Sequence, residues 1–86
     1  MNDTTTISVI VVSQGRPDHL RRCLLGLSQQ YYKDFEVIVV ADEAGCKTAA
    51  KFPSAKTQKT DIKNISAARN LGIKQAAGTL IAFIDD

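Results

Sequence analysis

The chain has 86 residues, a formal net charge of +2, 44% hydrophobic residues and 23% charged residues, which is the composition of one small globular domain or of part of a larger one. The weak positive charge, carried by scattered lysines and arginines, gives no support to nucleic-acid binding. No basic segment precedes a long apolar stretch, and the apolar runs are strand-length, so we expect neither a signal peptide nor a membrane span in these residues. The two cysteines, Cys23 and Cys46, lack metal-ligand spacing and are typical of a reducing compartment.

Two short apolar runs predict the first two strands. Residues 7–12 read ISVIVV and residues 35–41 read FEVIVVA, and runs that are apolar on both faces suit central parallel strands covered by helices. Between them, Pro17 fits the first position of a helix with leucines at helical spacing that extends to about Gln30. We expect a short helix over residues 47–52 after the second strand.

The second half of the chain predicts a polar loop, a helix and a last strand. Asn64 or Ser66 can cap the helix, and Gly78 is a suitable residue to end it. We expect these elements over residues 53–63 (with a short strand near 55–58), 65–77 and 79–84. Strands and helices thus alternate along the chain, which predicts an α/β fold: a Rossmann-like parallel sheet of about four strands with helices on both faces.

Polar residues follow three of the predicted strands. Ser13, Gln14 and Gly15 follow the first strand, Asp42 and Glu43 follow the second, and the last strand runs into two adjacent aspartates at the end of the chain. Ligands of parallel sheets bind beyond the carboxyl ends of the strands. We therefore expect these side chains to gather at one edge of the sheet.

Each polar group has a functional and a structural interpretation. Asp85 and Asp86 suit a hard divalent cation that bridges to phosphates, or they begin a solvated loop. Asp42 could accept hydrogen bonds from a nucleobase or ribose, or cap a helix. Arg69 could reach an anionic ligand or face solvent. His19 is expected to be structural or exposed, and no nucleophile arrangement accompanies it.

Two blocks of this sequence resemble the amino-terminal half of the nucleotide-binding domain of family 2 glycosyltransferases, which have the GT-A fold. The first block is ISVIVVSQGRPDHLRRCLLGLSQQYYKDFEVIVVADE, and the second is NISAARNLGIKQAAGTLIAFIDD, with its Ala-Arg-Asn helix and its strand that ends in Asp-Asp. Each motif is weak alone, but their order and spacing resemble the family over nearly the whole chain. The resemblance implies that residues 1–86 are the amino-terminal part of a GT-A domain, truncated at the acidic motif.

The resemblance also implies a nucleotide-sugar donor, commonly a UDP-sugar, and a divalent cation, Mg²⁺ or Mn²⁺. In the family a third acid usually follows and is the main metal ligand, so within this chain Asp86 is the candidate metal residue or an outer-sphere group. Gln14 stands where an aromatic residue often stacks on the base, and Ala41 stands where the first of two acids is usual. The donor-binding residues implied by the resemblance are Val12, Ser13, Gln14, Asp42, Arg69, Asp85 and Asp86.

We therefore expect the donor-binding portion of a glycosyltransferase that moves a sugar to an acceptor hydroxyl of a saccharide, lipid or protein. The catalytic base is expected beyond residue 86, so no catalytic residue is assigned and the chain alone is expected to be inactive. The alternatives are a non-catalytic nucleotide-binding or scaffold module of the same fold, and a phosphotransfer domain. We further expect no nucleic-acid partner, self-association through an open sheet edge, and a location in the cytoplasm or at the cytoplasmic face of a membrane.

Overall fold

The computed structural model describes residues 7–30, 34–52, 54–61 and 63–85, with the backbone alone for residue 85. Strands and helices alternate along these residues: β1 Ile7–Ser13, α1 Pro17–Ser28, β2 Phe35–Ala41, α2 Glu43–Ala49, β3 Ala55–Lys59, α3 Ile65–Gln75 and β4 Leu80–Asp85. The strands form one sheet in the order β3-β2-β1-β4, and all neighbouring pairs are parallel. The predicted α/β fold with a Rossmann-like parallel sheet is confirmed.

Strand β1 lies between β2 and β4, and the register aligns the carboxyl ends of all three strands. Ser13 pairs with Ala41 of β2, and Val12 pairs with Asp85 of β4. The chain first builds outward from β1 to β3 and then returns to place β4 on the other side of β1. The switch in strand order therefore lies between β1 and β4, and ligands of such sheets bind near this point.

Two apolar clusters cover the two faces of the sheet. Helices α1 and α2 pack together on one face, where the buried residues are Val9, Val11, Leu20, Leu24, Val39, Ala41 and Ala49. Helix α3 covers β1 and β2 on the other face, where the buried residues are Ile10, Ile38, Val40 and Ala68. A β-carbon at Gly72 would lie 2.5 Å from Cγ2 of Ile10, so the backbone of α3 packs directly on the sheet.

The short elements after β2 differ in part from the prediction. Helix α2 spans Glu43–Ala49, so the expected helix over residues 47–52 was placed too late. The reason is that the side chain of Asp42 caps an earlier start. The short strand expected near residues 55–58 is β3, which spans Ala55–Lys59.

The two longer helices end earlier than expected. Helix α1 ends at Ser28, before the predicted Gln30, and α3 ends at Gln75. Of the two candidate caps of α3, Asn64 is the one used, since its Oδ1 accepts a hydrogen bond from the Ala67 amide at 3.0 Å. None of the helices in the described ranges has the length and apolar character needed to cross a membrane.

Candidate functional site

A pocket of about 370 Å³ lies at the carboxyl edge of the sheet, beside the tips of β1 and β2. Three segments form it: the loop after β1, the start of α2 and the loop between β3 and α3. Its lining residues are Gln14, Gly15, Asp42, Thr60, Asp61 and Lys63. The structure therefore brings together Gln14 and Asp42, two of the residues expected to bind the donor.

Asp42 connects two of these segments through its carboxylate. Its Oδ1 accepts a hydrogen bond from the Gly45 amide at 2.9 Å and thereby caps α2, and its Oδ2 accepts one from the Gly15 amide at 2.9 Å. These bonds, Gly45 first and then Gly15, lower the pKa of Asp42 from its ordinary value of 3.8. The carboxylate is thus ionised at neutral pH, and each oxygen keeps further acceptor capacity for a ligand.

Gly15 is placed for this contact by its backbone conformation. Its φ is +73°, in the left-handed region that glycine enters without a steric penalty. The turn points its amide N–H toward Asp42. The single glycine of the SQGRP segment is therefore needed for the backbone conformation of this turn. Its bond to Asp42 holds the loop that carries Gln14.

The loop between β3 and α3 contributes pocket residues that the sequence analysis did not assign. The Thr60 amide donates to the carbonyl of Ala41 at 2.9 Å, which holds this loop against the end of β2 and brings Asp61 and Lys63 to the pocket. The positive charge of Lys63 also favours the ionised form of Asp42. A signal for these residues existed, because a loop that leaves the carboxyl end of a parallel strand passes the same edge of the sheet.

Two predicted residues of β1 lie beside the pocket and do not line it. Val12 is half-buried and packs against the α3 cluster. Ser13 points to the opposite face, since side chains alternate along a strand, and it is only 1% exposed. Its Oγ has no hydrogen-bond partner within the described part of the chain. The assignment of both residues to donor binding stays a prediction.

Arg69 lies on α3 and points toward β4. Its guanidinium carbon is 5.2 Å from the centroid of the Phe83 ring, a distance typical of a cation–π contact. Arg69 is half-buried and is not one of the residues that line the pocket. Its expected role toward an anionic ligand stays a prediction.

The acidic end of the chain is only partly described. The backbone of Asp85 pairs with Val12 and ends β4 at the edge that holds the pocket, whereas Asp86 and the side chain of Asp85 lie outside the described residues. Among the side chains that are described, no three or more His, Cys, Asp or Glu form a metal-binding group. Carboxylate oxygens are the ligands that Mg²⁺ and Mn²⁺ prefer, so the metal role of Asp86 stays a prediction with suitable chemistry.

A second pocket, of about 270 Å³, opens at the opposite edge of the sheet, near the starts of β2 and β3. Among the residues that the structure describes, its lining carries two serines and no titratable side chain. The lining residues are Leu24, Leu27, Ser28, Phe35, Val37, Phe52, Ser54 and Ala55. This pocket offers apolar surface, whereas the pocket around Asp42 offers charged and polar groups.

Known proteins match this chain in sequence and in structure. The chain is 30% identical over 92 residues to the uncharacterized glycosyltransferase YibD of Escherichia coli, covering 99% of this chain and 27% of YibD. It is 31% identical over 86 residues to the glycosyltransferase GlyA of Streptococcus pneumoniae, covering 92% of this chain and 12% of GlyA. A crystal structure of S. aureus TarS matches with a TM-score of 0.83 and 26% identity, covering 93% of this chain and 16% of TarS.

The chain spans less than a third of YibD, GlyA and TarS. The sequence model of the family described as Glycosyl transferase family 2 matches residues 8–86. This range contains both blocks on which the resemblance was based, except for the first residue of the first block. The chain belongs to glycosyl transferase family 2.

Proposed function

We propose that this chain is the donor-binding portion of a glycosyltransferase that moves a sugar from a nucleotide-sugar to an acceptor hydroxyl of a saccharide, lipid or protein, with a UDP-sugar as the expected donor. The observation that carries the proposal is the carboxylate of Asp42, which two backbone amides hold at the wall of the pocket. A fixed, ionised acceptor favours a ligand that presents N–H or O–H donors. A uracil ring and a ribose both do so.

The neighbouring side chains add to this recognition. The amide of Gln14 supplies one donor group and one acceptor group, which complement the carbonyl and N–H groups of a pyrimidine edge. Lys63 places a positive charge at the same pocket, and such a charge attracts an anionic nucleotide. Val12, Ser13 and Arg69 remain proposed donor contacts at or near this edge of the sheet.

A divalent cation completes the proposed donor site. Mg²⁺ or Mn²⁺ would be held by Asp86, with Asp85 as a neighbouring donor contact. When bound, the cation would neutralise the charge that develops on the departing diphosphate. A glycosyltransferase also needs a base to take the proton of the acceptor hydroxyl, and we assign none of the described residues to that role. We therefore propose that the 86-residue chain alone is inactive.

The second candidate function is a non-catalytic nucleotide-binding module of the same fold. It is favoured by the structural role of Asp42, whose two hydrogen bonds cap α2 and hold the Gly15 loop whether or not a reaction takes place. Hydrolysis of a UDP-sugar by a polypeptide of the relatives' length separates the two candidates. Turnover supports the enzyme, and tight binding without turnover supports the module.

We also propose that the isolated chain self-associates through β4. Within the described ranges this strand has one unpaired edge, and Leu80, Ile81 and Phe83 on it are 59%, 38% and 43% exposed. Unpaired apolar edges favour association between chains. Sedimentation velocity over a range of concentrations tests this. The cytoplasm, or the cytoplasmic face of a membrane, is the proposed location because nucleotide-sugars are available there.

The donor proposal is tested by calorimetric titration of the chain with UDP, CDP, GDP and ADP, each with and without Mn²⁺. Asp42→Ala is the test variant. Asp34→Asn is the matched control, because Asp34 is an exposed carboxylate just before β2, at the opposite edge of the sheet. We expect UDP to bind with the highest affinity of the four nucleotides. Asp42→Ala should lower the affinity for UDP by about 10-fold or more, since a hydrogen bond to a charged group contributes about 1.5–3 kcal/mol.

Two results would contradict the donor assignment. One is UDP binding that Asp42→Ala leaves unchanged. The other is equal weakening by Asp42→Ala and Asp34→Asn, which would indicate a general effect of charge. Circular dichroism of each variant confirms that the helices are retained.

A further inference from the structure

A polar cluster lies on the α3 face of the sheet, at the edge opposite the donor pocket. One carboxylate oxygen of Glu36 accepts hydrogen bonds from the Ser8 hydroxyl and from the Ala77 amide, the latter at 2.6 Å. The other oxygen pairs with Lys56 at 2.8 Å. The Gly78 amide donates to the Ser8 hydroxyl at 2.8 Å. These five residues, Ser8, Glu36, Lys56, Ala77 and Gly78, form what we call the Glu36 cluster.

The Glu36 cluster joins three strands to the turn that leads from α3 into β4. Ser8 is fully buried, and the side chain of Glu36 is 12% exposed. Partial burial would raise the pKa of Glu36, but hydrogen bonds from Lys56, Ser8 and the Ala77 amide lower it from 4.5 to about 2. A charged group so little exposed and bonded on both oxygens holds its partners in defined positions.

The sequence of β4 does not determine how β4 pairs with β1. Residues 80–84 read LIAFI, so both faces of the strand are apolar, and Leu80, Ile81 and Phe83 are also partly exposed. A shift of one residue exchanges the two faces of a strand, and the hydrophobic pattern resists such a shift only when the faces differ. Another feature must therefore set the observed pairing of Ile10 with Phe83.

The Glu36 cluster is in the right place to set this pairing. It binds the amides of Ala77 and Gly78, which lie just before the first residue of β4. Gly78 also lies directly against β1, because a β-carbon there would be 2.8 Å from the Ser8 nitrogen. A shifted strand would leave the carboxylate of Glu36 and the hydroxyl of Ser8 without these amide partners.

We propose that Ser8 and Glu36 are positioning residues that set the register of β4 and thereby the position of the acidic residues at its end. A shift of one residue would move the backbone of residue 85 by about 3.3 Å along the strand. The consequence for donor and metal binding rests on the proposed function. The register itself does not, and it can be measured separately.

The test compares variants of the 86-residue chain by NMR. Glu36→Leu removes every acceptor, whereas Glu36→Gln keeps one side-chain oxygen for the Ser8 hydroxyl and the Ala77 amide. Lys56→Met removes only the ion pair, and its matched control is Lys59→Met, which removes an exposed ion pair of the same strand. The readouts are the cross-strand contacts between the amides of Ile10 and Phe83, amide exchange along β4, and titration with Mn²⁺ and UDP.

We expect Glu36→Leu to lose the Ile10–Phe83 contacts and the protection of the β4 amides while β1, β2 and β3 stay paired. Its affinity for Mn²⁺ and UDP should fall by about 10-fold, the usual effect of losing a residue that supports a ligand site. Glu36→Gln should retain both the wild-type β4 pairing and the wild-type affinity for Mn²⁺ and UDP. Lys56→Met and Lys59→Met should both keep the wild-type register.

Unchanged β4 contacts in Glu36→Leu would overturn the proposal, and so would equal loss of protection in all four strands, which indicates a general role in stability. If Glu36→Leu does not fold, Ser8→Ala provides the same test, because it removes the acceptor of the Gly78 amide and leaves Glu36 in place. Wild-type chain that binds neither Mn²⁺ nor UDP would refute the proposed function. The NMR contacts would still decide the register.

Discussion

Acid should destabilise this chain in large part through Glu36. Its pKa is lowered from 4.5 to about 2, so the folded state binds fewer protons than the unfolded state between these values. The stabilisation from Glu36 is therefore fully present above its unfolded pKa and is lost as the pH falls through about 2. At about 1.4 kcal/mol per pKa unit, the shift corresponds to at most about 3 kcal/mol at neutral pH. Solvent screens part of this, because the side chain of the ion-pair partner Lys56 is 54% exposed.

This amount is a large part of the total for a small domain, whose free energy of unfolding is about 5–15 kcal/mol. Urea unfolding at pH 5, 4, 3 and 2 measures it, followed by circular dichroism since the chain has no tryptophan. The matched variant is Glu36→Gln, which cannot titrate. Its free energy of unfolding should fall less over this range than that of the wild type. Asp42 also has a lowered pKa, but it is present in both proteins and cancels in the comparison.

Parallel pH curves for the wild type and Glu36→Gln would refute this reasoning. They would mean that Glu36 is equally easy to protonate in the folded and unfolded chains. The bonds to Lys56, Ser8 and Ala77 would then not favour its ionised form.

Three further predictions, made with five substitutions, concern other parts of the structure. Gly72→Ala should destabilise the chain by about 1–3 kcal/mol, because its β-carbon would lie 2.5 Å from a β1 side chain. Gly26→Ala should stabilise it by about 0.5–1 kcal/mol, because no described atom lies within 4 Å of the new β-carbon. Equal melting temperatures of the two variants would contradict this prediction. Asn64→Ala should cost about 1 kcal/mol through the lost cap of α3, most of which Asn64→Ser should recover in urea unfolding. In Asp42→Ser the shorter side chain should still cap α2 but should not reach the Gly15 amide, so hydrogen exchange should become faster at that amide alone. Unchanged exchange at Gly15 would contradict the hydrogen bond between Gly15 and Asp42.

The sequence predicted the parts of the fold that depend on local patterns. The runs ISVIVV and FEVIVVA are mostly apolar and rich in β-branched residues, and they became β1 and β2, the best-buried strands of the sheet. The stripe of leucines after Pro17 became α1 for the same reason. The start of α2 was missed because Asp42 was assigned to the strand end, where its ability to cap the next helix was only one of two interpretations.

The rest depends on contacts between residues far apart in the chain. Asp61 and Lys63 line the pocket beside the bond from the Thr60 amide to Ala41. The position of the loop at this edge could be inferred, but that particular bond has no signature in the loop sequence. The hydrogen bond that the Ala77 amide donates to Glu36 spans 41 residues and has no local signature in the sequence. The shared edge that holds Gln14 and Asp42 could be predicted, because parallel strands place their ends together.

The absence of a side chain at Gly72 affects which amino-acid substitutions this domain can accept during evolution. On the α1 side, long side chains such as Leu20 and Leu24 separate the helix from the sheet, and neighbouring residues can adjust together when one of them changes volume. On the α3 side the helix backbone touches Ile10 with no intervening atoms to rearrange. Substitutions should therefore accumulate more readily beneath α1, whereas Gly72 and Ile10 should vary only as a pair.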